Sequence, residues 1–332
     1  MPGFESIIDQ NRPLRILTAF LQNGTIPHAL LFTGIEGVGR EKTAIAFAMA
    51  CNCVAEIPDP ARQTAHWPCG KCKSCRKIET GLHPDIIRVK PSGPFIKIDQ
   101  IRSLCQNLAL KPYEADRRVV IISDAQAMNP ASGNALLKVL EEPPVRTILI
   151  LTATHTSDLL PTIVSRCQHL RFKPISNTYL QSVLVDKHGL DSGDAMIIAA
   201  MAGGSLSRAL RMHRTRWTSR RNWLIEEINS SFSGSTNRLL AFAEQLAQNK
   251  ENLPDSLEVM KSWLRDLVVG QICPGRIVNQ DLIQKIQQIA PTMSIDALLE
   301  KIETIQATQN AIQAGTNLRL ALEAMVLRLA RV

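Results

Sequence analysis

The chain has 332 residues, enough for two or three domains at the usual ~100–200 residues each. Apolar residues make up 45% of it, ordinary for a globular core, and no run reaches the ~18 apolar residues of a membrane helix, which argues against a spanning role. The net charge of +8 suits an anionic partner such as nucleic acid and equally suits solubility, while eight cysteines without a visible secretion signal favour thiols or metal over disulfides.

Ala29-Leu30-Leu31-Phe32-Thr33 is a short apolar run that predicts a strand. It leads into Gly34-Ile35-Glu36-Gly37-Val38-Gly39-Arg40-Glu41, and Thr43 to Ala50 then reads as a buried helix. A working phosphate-binding loop has the pattern G-x-x-x-x-G-K-[S/T]: backbone N–H groups cradle phosphates, Lys reaches the outer phosphates and the hydroxyl holds Mg²⁺. Gly34 and Gly39 keep the two glycine positions. Arg40 stands in place of Lys and Glu41 in place of the hydroxyl, where a carboxylate repels phosphate. The loop keeps its shape without the groups that bind and cleave ATP.

Cys69-Gly70-Lys71-Cys72-Lys73-Ser74-Cys75 follows, with Cys53 at 16 positions before Cys69. Four thiolates close a tetrahedral Zn²⁺ site, and two-residue spacers let a tight turn present successive sulfurs. Lys71, Lys73 and Arg76 would offset the charge of such a centre. Cys51 competes with Cys53 as fourth ligand and His66 is a weaker rival; an Fe–S cluster is disfavoured because the ferredoxin C-P continuation is missing. Cys105 and Cys273 are isolated and read as core thiols.

Asp85–Val89, Val119–Ile122 and Thr147–Leu151 predict further strands, with helices over Ile98–Leu110 and Ala131–Glu142 between them. Strands alternating with helices imply right-handed crossovers and a parallel sheet, and continuous Val/Ile/Leu runs fit strands covered on both faces. Val119–Ile122 ends in Ser123-Asp124, where an ATPase needs an acidic pair for Mg²⁺ and water. The first carboxylate is absent, and Asp124 alone is expected either to belong to a degenerate site or to cap the following turn. The tip of the last strand carries Thr152 and Thr154. Next, Pro161–Cys167 holds Arg166, which from its own residues reads either as a solvated Arg or as a group acting in trans on a neighbour's γ-phosphate.

Beyond Lys173-Pro174 strand signals stop. Residues 174–212 read as short helices broken at Gly203-Gly204, and 214–332 as helix only. Leu318, Leu322, Met325 and Leu329 mark one helical face.

Ile26–Gly34, the four-cysteine module, Asn134–Pro144, Ser165-Arg166-Cys167 and Asn317–Leu329 together resemble the clamp-loader subunits of bacterial DNA polymerase III, of the AAA+ class, over nearly the whole chain. The resemblance implies a RecA-like AAA+ domain over 1–172 with a zinc module at about 53–75, a small helical lid over 173–213 and a helical collar over 214–332. It implies a ring with gamma or tau motor subunits and a delta subunit, acting on the sliding clamp and primed DNA, in the cytoplasm at the nucleoid. Arg166 matches an arginine finger, Cys53 the first zinc ligand, and Arg208 a lid position that senses nucleotide in ATP-binding relatives. The degenerate loop (Gly34, Gly37, Gly39, Arg40, Glu41) and strand end (Ser123, Asp124) imply no bound ATP, hence a stator inside a nucleotidyltransferase holoenzyme with no ATPase of its own. Two other functions compete. A gamma/tau-type ATP-hydrolysing motor is opposed by Arg40, Glu41 and Ser123. A free-standing zinc module that binds nucleic acid is opposed by an aromatic content of 4%, poor for stacking on bases.

Overall fold

The computed structural model describes residues 3–55, 68–231 and 235–330. These form two compact units, one of Met1–Tyr179 with Gly203–Ser207, the other of Leu180–Ala202 with Arg208–Val332. No helix among the described residues is long and apolar enough to cross a membrane.

The first unit is built on five strands: β1 (Ala29–Thr33), β2 (Ile86–Val89), β3 (Arg118–Ile122), β4 (Thr147–Ala153) and β5 (Gln168–Arg171). They lie in the order β2-β3-β4-β1-β5, and every pairing is parallel, with Ile86 opposite Val119, Arg118 opposite Thr147, Ala29 opposite Leu149 and Leu30 opposite Gln168. Six helices accompany them: α1 (Asn11–Asn23), α2 (Arg40–Cys51), α3 (Lys73–Thr80), α4 (Ile98–Leu108), α5 (Pro130–Glu141) and α6 (Pro161–Val164).

Successive side chains of a strand point to opposite faces, and here both faces are dry. Leu31, Val120, Ile122, Leu149 and Leu151 pack with Ile101 and Leu104 of α4 and Leu136 and Leu140 of α5. Leu30, Phe32, Val119, Ile121, Ile148 and Ile150 pack on the other face with Leu17 of α1, Phe47 of α2 and Ile78 of α3. Each such side chain contributes roughly 1.5–3 kcal/mol by leaving water.

Four of the five strands sit where the apolar runs predict them. The fifth, β5, has a single buried residue, Leu170, among exposed Gln168, His169 and Arg171. One apolar side chain in four gives no strand pattern, which is why it escapes a reading by periodicity. α2 also starts three residues before the predicted helix, because its first turn, Arg40-Glu41-Lys42, is polar and carries no apolar period. α5 is set by local chemistry: Asn129 accepts from Ser132 N–H as N-cap, Pro130 occupies the first turn, and Pro143 and Pro144 follow its end.

The second unit is helical. It takes in most of α7 (Asn177–His188) and α9 (Leu206–Arg214), and all of α8 (Ser192–Met201), α10 (Trp217–Ser231), α11 (Thr236–Gln248), α12 (Leu253–Ile272), α13 (Ile283–Ile289), α14 (Ile295–Gln313) and α15 (Leu318–Leu329). Trp263, Leu264 and Leu267 of α12 are fully buried, as are Leu322, Met325 and Leu329 of the predicted α15 stripe; Leu318, at its first turn, is half-buried. Cys273 is exposed at the end of α12, not in the core as the sequence suggests, while half-buried Cys105 packs on the sheet.

Candidate functional site

The carboxyl ends of β1, β3 and β4 meet at one edge of the sheet, where ligands of open α/β folds bind. Gly34 N–H bonds the carbonyls of Ala153 and Thr154 at 3.3 and 3.2 Å, and Asp124 N–H bonds Thr152 Oγ1 at 3.1 Å, so the glycine loop and both strand ends form one structure.

The glycines are there for room as much as for rotation. A Cβ on Gly34 would stand 2.7 Å from Phe172 O. Gly37 has φ +81°, and a Cβ there would collide with the hydroxyls of Ser205 and Ser207. Leu206 N–H donates to Gly37 O at 3.1 Å, so the Gly203–Ser207 strap lies directly on the loop. Gly37→Ala is therefore expected to cost about 1–3 kcal/mol from the left-handed backbone alone. The measurement is the urea midpoint at unchanged m-value; an unmoved midpoint would mean that the loop and strap relax freely.

Arg40 opens α2, with a side chain only 6% exposed. One Nη lies 3.8 Å from Asp124 Oδ1, and Nη1 has no hydrogen-bond partner among the described residues. Burial pulls the guanidinium below its ordinary range, against the favourable charges of Asp124 and Glu36. Glu41 turns away to Lys90 at 2.7 Å. Asp124 makes no side-chain cap to the turn it precedes, contrary to the capping expectation; its backbone is left-handed at φ 52° and its carboxylate faces Arg40. Ser123 is buried, and its Oγ has no hydrogen-bond partner among the described residues. The cation at the loop's Lys position and the one acid left at the strand end thus face each other as a long ion pair, in the space where phosphate and Mg²⁺ would need them.

Arg166 follows α6. Its Nη2 lies 2.7 Å from Glu141 Oε1 at the end of α5, and its Nη1 donates to Thr162 O at 3.0 Å. The side chain keeps 36% exposure. Sequence reasoning named Arg166 but not Glu141, nor the serines of the strap, since residues this far apart in sequence carry no shared pattern.

The sulfurs of Cys53, Cys69, Cys72 and Cys75 all lie within 4.8 Å of one another. Tetrahedral Zn–S bonds of ≈ 2.3 Å place sulfurs about 3.8 Å apart, and Cys69 and Cys75 Sγ stand at 3.9 Å. Cys72 N–H points at Cys69 Sγ (3.3 Å) and Cys75 N–H at Cys72 Sγ (3.4 Å), donors that favour thiolate. Desolvation raises the Cys69 thiol, but N–H groups of Cys72 and Lys71 outweigh it and bring it down to about 6. The donor set and spacing fit zinc. Cys51 is not in the group, and burial pushes its thiol up to about 12. His66 lies outside the described residues.

An all-parallel sheet in this strand order, a glycine loop between β1 and α2, and helices beyond define an open α/β fold of the phosphate-loop kind followed by an all-helical region. Residues 9–176 match the family described as DNA polymerase III, delta subunit, residues 215–331 match its C-terminal family, and the delta' subunit of Bacillus subtilis is 26% identical over 96% of this chain and 96% of its own length. The chain belongs to the delta-prime family of DNA polymerase III, the clamp-loader subunits. It is also similar to the delta' subunit of Pseudomonas aeruginosa, at 31% identity over 73% of this chain and 71% of that one. The tau subunit of Escherichia coli is 33% identical over 63% of this chain, a match that spans only 32% of tau.

Proposed function

We propose that this chain is a stator of the clamp loader: it holds no ATP, hydrolyses none, and supplies Arg166 to ATP on a neighbouring subunit. The observation that carries the first half is the pairing of buried Arg40 with Asp124, beside a glycine loop on which the Gly203–Ser207 strap lies. ATP would have to separate two opposite charges, displace the strap and accept Glu41 beside its phosphates. The second half rests on Arg166, partly exposed and engaged by a single carboxylate. A γ-phosphate offers a planar guanidinium a bidentate match and more charge than the single Glu141 contact, so exchange between the two is chemically favourable.

Under this reading the partners are gamma or tau, delta, the sliding clamp and primed DNA, in the cytoplasm at the nucleoid. Residues 1–172, 173–213 and 214–332 serve as ATPase-like domain, lid and collar. Zn²⁺ on Cys53, Cys69, Cys72 and Cys75 is structural, since four thiolates leave no open position for chemistry. Arg208 acts electrostatically on Glu258 of α12 in place of sensing nucleotide.

Titration of the isolated chain with Mg-ATP in a calorimeter tests the reading. No heat of binding and no phosphate release are expected; micromolar affinity would overturn it and favour a motor of the gamma/tau kind.

A further inference from the structure

Arg166 and Glu141 are brought together by two elements of the first unit that pack on each other. α5 is fixed from within: Ser132 Oγ donates to Ile96 O at 2.9 Å, and Leu136 and Leu140 are buried in the cluster that covers one face of the sheet. Ile163 of α6 belongs to the same cluster. α6 comes close because position 133 of α5 is glycine; a Cβ there would stand 2.8 Å from Leu160 Cδ1. Core packing therefore sets the distance between the arginine and its carboxylate.

Glu141 is the last residue of α5, where the helix dipole and the unpaired carbonyls disfavour a carboxylate. Lys138, one turn earlier, forms no ion pair with it among the described residues. Glu142, next in the chain, is also exposed and forms no ion pair among the described residues. Arg166 alone relieves one of these two acids, and it takes Glu141.

The contact is reversible by construction. Arg166 Nη1 is occupied by its own segment, at 3.0 Å from Thr162 O and 3.4 Å from Ser165 Oγ, which steadies the side chain. Nη2 alone reaches Glu141, so a guanidinium able to grip an anion with two prongs uses one. Pairs as exposed as this one hold weakly. A terminal phosphate can displace the carboxylate. Once that phosphate leaves, Glu141 stands unrelieved at its helix end and draws the guanidinium back.

We infer that Glu141 is a positioning residue for Arg166: it seats the guanidinium while the neighbouring site lacks a γ-phosphate, yields it to that phosphate, and recaptures it after hydrolysis. The inference rests on the proposed action of Arg166 in trans and adds a competitor that sets how readily the arginine engages. Glu141 touches no substrate and acts through Arg166.

The test is clamp-dependent ATP hydrolysis by the reconstituted loader over a series of ATP concentrations. It compares this subunit as wild type, Glu141→Gln, Glu142→Gln, Arg166→Ala and Glu141→Gln/Arg166→Ala. Glu141→Gln keeps the side chain's size and removes a charge that the helix end disfavours, so its melting midpoint should not fall. The Arg166-dependent part of the rate should reach half-maximum at roughly two- to fivefold lower ATP with Glu141→Gln, the range an exposed charged pair spans. Its maximum should not rise, because recapture of the arginine is weakened. Glu142→Gln should match wild type, and the double variant should match Arg166→Ala. Unchanged half-saturation with Glu141→Gln would overturn the inference, even where Arg166→Ala lowers the rate and so upholds the action in trans. A shift that persists in the Arg166→Ala background would also overturn it, by giving Glu141 a structural role of its own. Equal rates for Arg166→Ala and wild type would remove the action in trans and this inference with it.

Discussion

Arg166→Ala is expected to leave this subunit folded and able to join its complex while lowering clamp-dependent ATP hydrolysis by the reconstituted loader severalfold. Stability should hold because the side chain is partly exposed and its main partner, Glu141, is itself 49% exposed; such pairs contribute about 0–1 kcal/mol. Activity should fall because a guanidinium aimed at a transferring phosphoryl group stabilises charge that builds only in the transition state, a contribution of ~10³–10⁵ in GTPases. The loss should be smaller here, because under the proposed reading only one motor site depends on Arg166. Arg166→Lys should restore little, because an ammonium cannot reproduce the two-pronged contact. Equal ATPase rates, with assembly confirmed by gel filtration, would return Arg166 to a structural role on Glu141. The Mg-ATP titration of the isolated chain is a separate matter, so each half of the stator reading can fail alone.

Metal removal is expected to have the larger effect on stability. Elemental analysis should find one zinc per chain, and chelation should lower the melting midpoint by roughly 10 °C or more. Structural zinc on thiolates contributes ~10–16 kcal/mol of apparent binding free energy, and loss of only about 4 kcal/mol would move a domain of this size that far at ~2–4 °C per kcal/mol. The loss should propagate because Cys75 is fully buried in the same apolar cluster as Phe32, Phe47 and Ile78, with Cys53, Cys69 and Cys72 against it. Cys53→Ser should lose the metal and Cys51→Ser should keep it. Iron in the purified protein, or the reverse result for the two serine variants, would sink the assignment.

The parallel sheet was legible because Leu30, Phe32, Val119, Ile121, Ile148 and Ile150 leave water on one face while Leu31, Val120, Leu149 and Leu151 do so on the other, which writes unbroken apolar runs into the sequence. The glycine loop and the cysteine spacing were legible because backbone shape and tetrahedral coordination each demand fixed residue types at fixed intervals. What the chain does with the leftover charges was not. Arg40 with Asp124, Glu41 with Lys90 and Arg166 with Glu141 are each joined across distant segments, and such a pair leaves no mark on local composition. The edge strand β5 escaped for the opposite reason: it buries too little to show a period.

That polar edge bears on how the chain keeps company. A strand at a sheet's margin offers unpaired N–H and C=O groups to any other strand that comes alongside. Subunits of a common fold, held close together, are the neighbours best matched to extend one another's sheets. In β5, exposed Gln168, His169 and Arg171 flank the one residue that faces inward. Pairing here would desolvate a guanidinium with nothing to receive it, so the margin resists runaway strand addition.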